Sequence, residues 1–249
     1  LYDQSGSGND LVVSDGGCYD GGGGSALEDD YETDATRRSL TVSGHRIYAL
    51  AMRAHEGYRN NLATNMPANG AEQGIYELVD GKAWGGWCCW DFGTASKDNC
   101  YDQGTGSMNA LFFGQYIAWG EGAGEAPWFM ADFEAGIWAG GSGASNVPNP
   151  NNPSMGVDYA FGILKTSATN YAIRVANGQS GGLTTAYDGA LPRFANGWIV
   201  DGGIILGTGG DNSNWGYGTF FEGAILSGRP TDDVDAAVLA NVQAARYGQ

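Results

Sequence analysis

An all-β sandwich of the jelly-roll type, with one short C-terminal helix, is the fold class that this 249-residue sequence predicts. Its 43 glycines stand against 7 prolines and follow no G-X-Y period, which suits many short strands joined by tight turns and excludes collagen. Runs rich in β-branched and aromatic residues recur at short intervals, separated by Gly, Asn, Asp or Pro. Helical spacing of apolar residues is confined to the C-terminus. With 42% hydrophobic and only 16% charged residues the chain is too apolar for intrinsic disorder, and its length is enough to bury a core in one domain over residues 1–249.

In chain order, the strand-like runs are residues 45–52, 74–79, 110–119, 128–134, 157–164, 171–175, 198–206 and 219–226. Each is bounded by turn-forming residues. The glycine-rich stretch 15–25 and the Asn/Gly/Pro-rich stretch 140–156 read as surface loops and not as domain linkers. At the C-terminus Thr231 can cap a helix, Asp232 and Asp233 sit favourably in its first turn, and Val234, Val238 and Val242 recur every fourth residue, with Gly248 as the expected stop. Two packed antiparallel sheets accommodate the rest, and such sandwiches often carry a groove on one face.

A formal charge of -16 repels phosphate backbones and anionic lipid surfaces, so no nucleic-acid partner is expected. No apolar run reaches the length of a membrane span. The residues Leu1-Tyr2-Asp3 carry no signal-peptide features, so a secreted chain implies a leader already removed. Four cysteines, Cys18, Cys88, Cys89 and Cys100, lack CxxC spacing, and only His45 and His55 could add imidazole ligands. A zinc site is therefore not expected, nor is any other metal or cofactor. Disulfides are the better reading, with Cys18 to Cys100 as a long-range bridge; an extracellular location follows from that chemistry. Cys88 and Cys89 can bond to each other, remain buried thiols, or find separate partners.

Three stretches can carry chemistry. In Trp128-Phe129-Met130-Ala131-Asp132-Phe133-Glu134, a continuous strand places Asp132 and Glu134 on one face. A solvated strand face is the plain alternative, but the neighbours are apolar. Asp211 lies in Gly209-Gly210-Asp211-Asn212-Ser213-Asn214, directly after an apolar run, and reads either as part of an Asx-rich turn or as a second site carboxyl. Glycoside hydrolysis needs two carboxyls, one to protonate the leaving oxygen and one to attack or to activate water. Trp84, Trp87 and Trp90 surround the double cysteine and offer flat surface for sugar stacking or for core packing.

Taken in order, Tyr2-Asp3-Gln4-Ser5-Gly6-Ser7-Gly8-Asn9, Gly57-Tyr58-Arg59-Asn60-Asn61, Cys88-Cys89-Trp90-Asp91-Phe92-Gly93, Trp119-Gly120, the 127–134 stretch, the turn around Asp211 and Gly218-Thr219-Phe220-Phe221-Glu222-Gly223 resemble the catalytic domain of the B-type α-L-arabinofuranosidases, glycoside hydrolase family fifty-four. The double cysteine, the D-x-E segment and the G-D-N-S-N turn are its most specific features. The resemblance implies a concanavalin-like β-sandwich that releases terminal arabinofuranose from plant polysaccharides with retention of configuration. It implies Glu134 as nucleophile and Asp211 as general acid/base, with Trp119, Asp132, Gly210 and a Cys88 to Cys89 disulfide lining the sugar pocket.

Against that pattern, Ala135 stands where the family has asparagine, the C-terminal arabinose-binding trefoil is absent, and the chain opens at the Asp-Gln-Ser-Gly motif without the family's preceding strands. Two functional classes follow: a retaining exo-acting furanosidase acting on an arabinose-containing glycan, or a non-catalytic extracellular sugar-binding or structural module. The missing strands lead to the further expectation that a partner chain or neighbouring copy completes the sheet at Leu1 and residues 11–13.

Overall fold

The structure is a computed structural model that describes residues 1–16, 29–99 and 104–249. One seven-stranded antiparallel sheet runs, in spatial order, β1 (Val12–Val13), β4 (Tyr58–Asn60), β13 (Gly203–Leu206), β6 (Asp91–Ala95), β7 (Met108–Gly114), β8 (Trp128–Asp132) and β9 (Ile137–Trp138). The other runs β12 (Ser180–Ala190), β11 (Asn170–Asn177), β10 (Ala160–Thr166), β5 (Gln73–Gly86), β14 (Gly216–Ser227), β3 (His45–Met52) and β2 (Arg38–Val42). This is the expected all-β sandwich. No helix among the described residues is long and apolar enough to cross a membrane.

Strand alternation decides what lies between the sheets and what faces the site. Phe92, Leu111, Phe113, Phe129 and Ala131 of the first sheet pack against Ile75, Val79, Leu164, Ile173 and Val175 of the second, forming the inter-sheet core. Full burial of each such aromatic or branched side chain contributes roughly 1.5–3 kcal/mol. The alternate residues Phe112, Trp128 and Met130 point to the opposite face of the first sheet, where Cys88, Tyr116 and Trp119 cover them. Asp132 continues that second series. Both faces of β8 are thus buried, which accounts for its near-continuous apolar sequence.

Several expected boundaries shift for identifiable reasons. Gly114 turns the chain at φ 149, so β7 ends there and residues 115–119 leave the sheet to cover the outer face. Gly202, at φ 92, similarly delays β13 to Gly203. β8 ends at Asp132, two residues short of Glu134. The polar, exposed edge strand β12 escapes sequence detection because its register with β11 carries it, not its apolar content.

Thr231 caps α1 (Asp232–Ala244) by accepting from the Val234 amide, as expected. The helix stops before Gly248, with Ala245 at its C-cap and Arg246 in the left-handed region at φ 56. Val234 is exposed; the buried face consists of Asp235, Leu239 and Val242. Asp235 accepts from Lys165 at 2.6 Å and Arg174 at 2.9 Å, pinning the helix to β10 and β11.

At the chain's opening, Leu1 and Leu11 exchange both backbone hydrogen bonds, at 2.6 and 2.9 Å. β1 then pairs with β4 through Val12 and Val13 and forms the outer edge of its sheet. The expected Cys18 to Cys100 bridge lies outside the described residues.

Candidate active site

At the end of β8 residues 133–136 turn the chain back into β9, with Glu134 at φ 66 and Ala135 at φ 50 at the tip and the Phe133 amide donating to Gly136 O at 3.3 Å. Two consecutive positive φ values are those of a type I′ turn, which normally selects Asn and Gly. Glutamate and alanine hold this conformation at a cost, and strain of that kind concentrates at functional sites. The Glu134 amide donates to Asp132 Oδ1 at 2.8 Å. The two acids therefore meet because Asp132 folds onto the turn backbone, which corrects the expectation of a shared strand face.

Asp211 sits in a second tight turn held from below. Ser213 N donates to Asp211 Oδ1 at 2.9 Å, Gly209 N to Ser213 O at 2.7 Å, and Asn212 adopts φ 67. Ser14 bonds to the Asn212 side chain, while Asp30 accepts from Asn214 and, at 2.7 Å, from the Gly57 amide. The buried Arg59 guanidinium donates to Gly209 O at 3.2 Å, Gly210 O at 2.8 Å and Ser96 O at 2.8 Å. Burial lowers its pKa to about 10, against the opposing pull of Asp211 and Glu134. It is a permanent cation beneath the acids.

Cys88 and Cys89 are joined by a disulfide across a cis peptide bond. Cys89 N donates to Ser213 O at 3.3 Å, and Trp215 N to Cys88 O at 3.3 Å, so the disulfide segment is tied to the Asp211 turn. Its Cys89 sulfur lies 3.8 Å from Asp132 Oδ2. A cavity of about 450 Å³ opens here, within the size range of small-molecule sites. Its walls are Trp87, Cys88, Cys89, Tyr116, Trp119, Asp132, Glu134, Ala135, Gly136, Ile137, Asp211, Ser213 and Trp215.

Burial pushes the Asp132 carboxyl up to about 7, with the Asp211 charge adding to the rise and the Glu134 amide opposing it. Asp91, fully buried in β6, is driven well above the ordinary carboxylate range by burial and then by Asp132 and Glu134. Glu77, between the sheets, is raised by burial alone. Donor atoms of Cys88, Cys89, Asp91 and Asp132 lie within 4.8 Å of one another, but disulfide-bonded sulfurs cannot serve as thiolate ligands.

Six of the seven sequence-selected residues, Glu134, Asp211, Cys88, Cys89, Trp119 and Asp132, line this one cavity. Gly210 does not: it stands behind Glu134, and a β-carbon there would lie 2.5 Å from Glu134 Oε2 and 2.8 Å from Met108 Cγ. Tyr116 and Trp215 were missed as wall residues, Trp87 was read only as flat surface for either sugar stacking or core packing, and Arg59 and Asp91 were missed as the buried polar groups beneath. Trp87, Arg59 and Asp91 lie in or beside the sequence motifs, so proximity to them was an available signal. Tyr116 lay in a run expected to be strand, which hid its turn outward.

Compared with known proteins, the catalytic-domain family described as "Alpha-L-arabinofuranosidase B, catalytic" matches residues 1–248. An alpha-L-arabinofuranosidase of Hypocrea jecorina is 39% identical over 249 residues, covering 99% of this chain and 49% of that protein. The chain thus spans about half the length of the curated relatives it matches. Among solved structures, a mutant of a family fifty-four α-L-arabinofuranosidase soaked with 4-nitrophenyl α-L-arabinofuranoside aligns with TM-score 0.91 and 38% identity, over 99% of this chain and 50% of that one. An arabinofuranosidase complexed with arabinofuranosyl-α-1,2-xylobiose aligns with TM-score 0.91 and 37% identity, over 100% of this chain and 51% of its own.

Proposed function

This chain belongs to the α-L-arabinofuranosidase B catalytic-domain family, and on that premise we propose that its cavity hydrolyses terminal α-L-arabinofuranosides of a polysaccharide with retention of configuration. The observation that supports this reading most is the convergence of Glu134 and Asp211, from two separate turns, on one cavity walled by the Cys88–Cys89 disulfide. In the first step Glu134 attacks the anomeric carbon of the bound furanose while Asp211 gives its proton to the departing glycosidic oxygen. In the second, Asp211 takes a proton from water, whose oxygen displaces Glu134 and releases arabinose. Trp119 and the disulfide form apolar wall for the ring, and Asp132 offers a carboxyl oxygen to a sugar hydroxyl. Hydrolysis of 4-nitrophenyl α-L-arabinofuranoside, with the released sugar's anomer read by proton NMR, tests the proposal. No release, or the inverted anomer first, contradicts it.

The packing behind Glu134 gives a sharper expectation. In Gly210→Ala the added methyl must displace the Glu134 carboxylate or Met108. We expect about 1–3 kcal/mol of destabilisation from overpacking and, because a 1 Å misplacement of a reacting group costs on the order of 100-fold, a comparable fall in kcat. Thermal melts beside kcat measurements check it; unchanged kcat counts against a reacting role for Glu134.

Ala135 is the observation that favours the second reading, a sugar-binding module without catalysis, since the resembling family places a polar asparagine there. The φ of 50 at Ala135 is one that asparagine tolerates better than alanine. Ala135→Asn should stabilise the fold by up to about 1 kcal/mol in urea unfolding. If arabinofuranoside turnover is absent before and after this change while arabinose still binds, the module reading prevails.

An extracellular location is proposed from the Cys88–Cys89 disulfide. Sheet completion by another chain is proposed for the outer edge of β1, which among the described residues is formed by Val12 and Val13. A monomer in sedimentation at micromolar concentration contradicts it.

A further inference from the structure

Trp87 is 71% exposed, yet it lines the cavity beside the disulfide. Its ring lies 6.3 Å from that of Tyr116 at 60°, and Tyr116 in turn lies 6.5 Å from Trp119 at 33°. The three rings form a continuous aromatic path from the cavity wall to solvent. The backbone under it is fixed, since Trp87 N donates to Trp215 O at 3.4 Å and the adjoining Cys88 carbonyl accepts from Trp215 N at 3.3 Å. The acids of the cavity wall, Asp132, Glu134 and Asp211, are all buried to some degree, whereas Trp87 carries the apolar wall of the same cavity out to solvent.

We infer that Trp87, backed by Tyr116, is a stacking platform for the pyranose ring that carries the arabinofuranose, and so sets specificity for the leaving side of the substrate. The inference rests on the proposed hydrolase reading. A furanose held between Glu134 and Asp211 fills the inner cavity with its glycosidic oxygen against Asp211, so the ring beyond that oxygen must leave through the mouth, where an exposed indole stands. The axial C–H face of a neutral pyranose is apolar and matches a flat aromatic surface. A chain with a formal charge of -16 repels uronate-rich backbones, which makes a neutral pyranose the fitting class.

The test compares kcat/KM for arabinofuranosyl-α-1,2-xylobiose and for methyl α-L-arabinofuranoside, in the wild-type protein and in Trp87→Ala and Trp87→Phe. The ratio of the branched substrate to the methyl glycoside should fall about tenfold in Trp87→Ala and recover most of that loss in Trp87→Phe. An unchanged ratio overturns the platform even though the enzyme is active. If the wild-type protein cleaves neither substrate, the hydrolase reading fails separately, and tryptophan fluorescence titrated with xylobiose decides the platform. Quenching that disappears in Trp87→Ala supports it, and no wild-type quenching, or equal quenching in both proteins, overturns it. Concentration-dependent dimerisation abolished by Trp87→Ala, without any change in the substrate ratio, would assign the exposed ring to a protein contact instead.

Discussion

Replacing Glu134 by glutamine is expected to lower kcat on 4-nitrophenyl α-L-arabinofuranoside by on the order of 10⁴-fold, with the fold intact. Glutamine is isosteric and keeps the backbone amide that donates to Asp132, so the turn between β8 and β9 survives. Only the nucleophilic oxygen is lost, and removal of a nucleophile forfeits the transition-state stabilisation that depends on covalent attack. Binding should persist: a simple arabinofuranoside should protect the variant from thermal unfolding as it protects the wild-type protein. A loss below tenfold would show that another group attacks the sugar.

Asp132→Asn should have two opposed effects, higher stability at neutral pH and lower activity. The folded-state carboxyl titrates near 7, against an ordinary value of 3.8. Below pH 4 both folded and unfolded states hold the proton, and this group costs nothing. Between about pH 4 and 7 the unfolded chain releases the proton and the folded chain keeps it, so stability falls as pH rises, reaching its full loss above 7. The displacement corresponds to roughly 4 kcal/mol for a fully buried group. Asparagine retains an oxygen for the Glu134 amide and carries no charge, so the variant should be more stable by a few kcal/mol at pH 8 and nearly equal at pH 4. At pH 8, where Asp132 is ionised, a charge-assisted bond to a sugar hydroxyl becomes a neutral one, lowering kcat/KM about tenfold there and less at pH 5. Urea midpoints from pH 4 to 8 check the first effect and kinetics the second. A variant that follows the wild-type pH dependence would place the Asp132 proton release near its ordinary value.

The sandwich was legible in the sequence because its central strands are apolar on both faces, as β7 and β8 show. Edge strands such as β12 were not, since their residues are polar and only pairing with a neighbour orders them. The site was legible through residue types that are costly to bury without purpose: two carboxyls among aromatic residues and two adjacent cysteines. What the one-dimensional pattern hid was the turn. Asp132 and Glu134 suggested strand alternation, whereas Glu134 in fact enters the left-handed region and returns its amide to Asp132. Arg59 was equally hidden as a functional group, because its three carbonyl partners come from residues 96, 209 and 210, far away along the chain.

The central claim is that Glu134 forms a covalent bond to the sugar, and its most direct test is peptide mass spectrometry after incubation with an electrophilic arabinofuranose-configured cyclic sulfate. The account predicts one adduct, on the peptide that contains Glu134, and none in Glu134→Gln. An adduct on a different residue, or no adduct in a protein that hydrolyses arabinofuranosides, would contradict it.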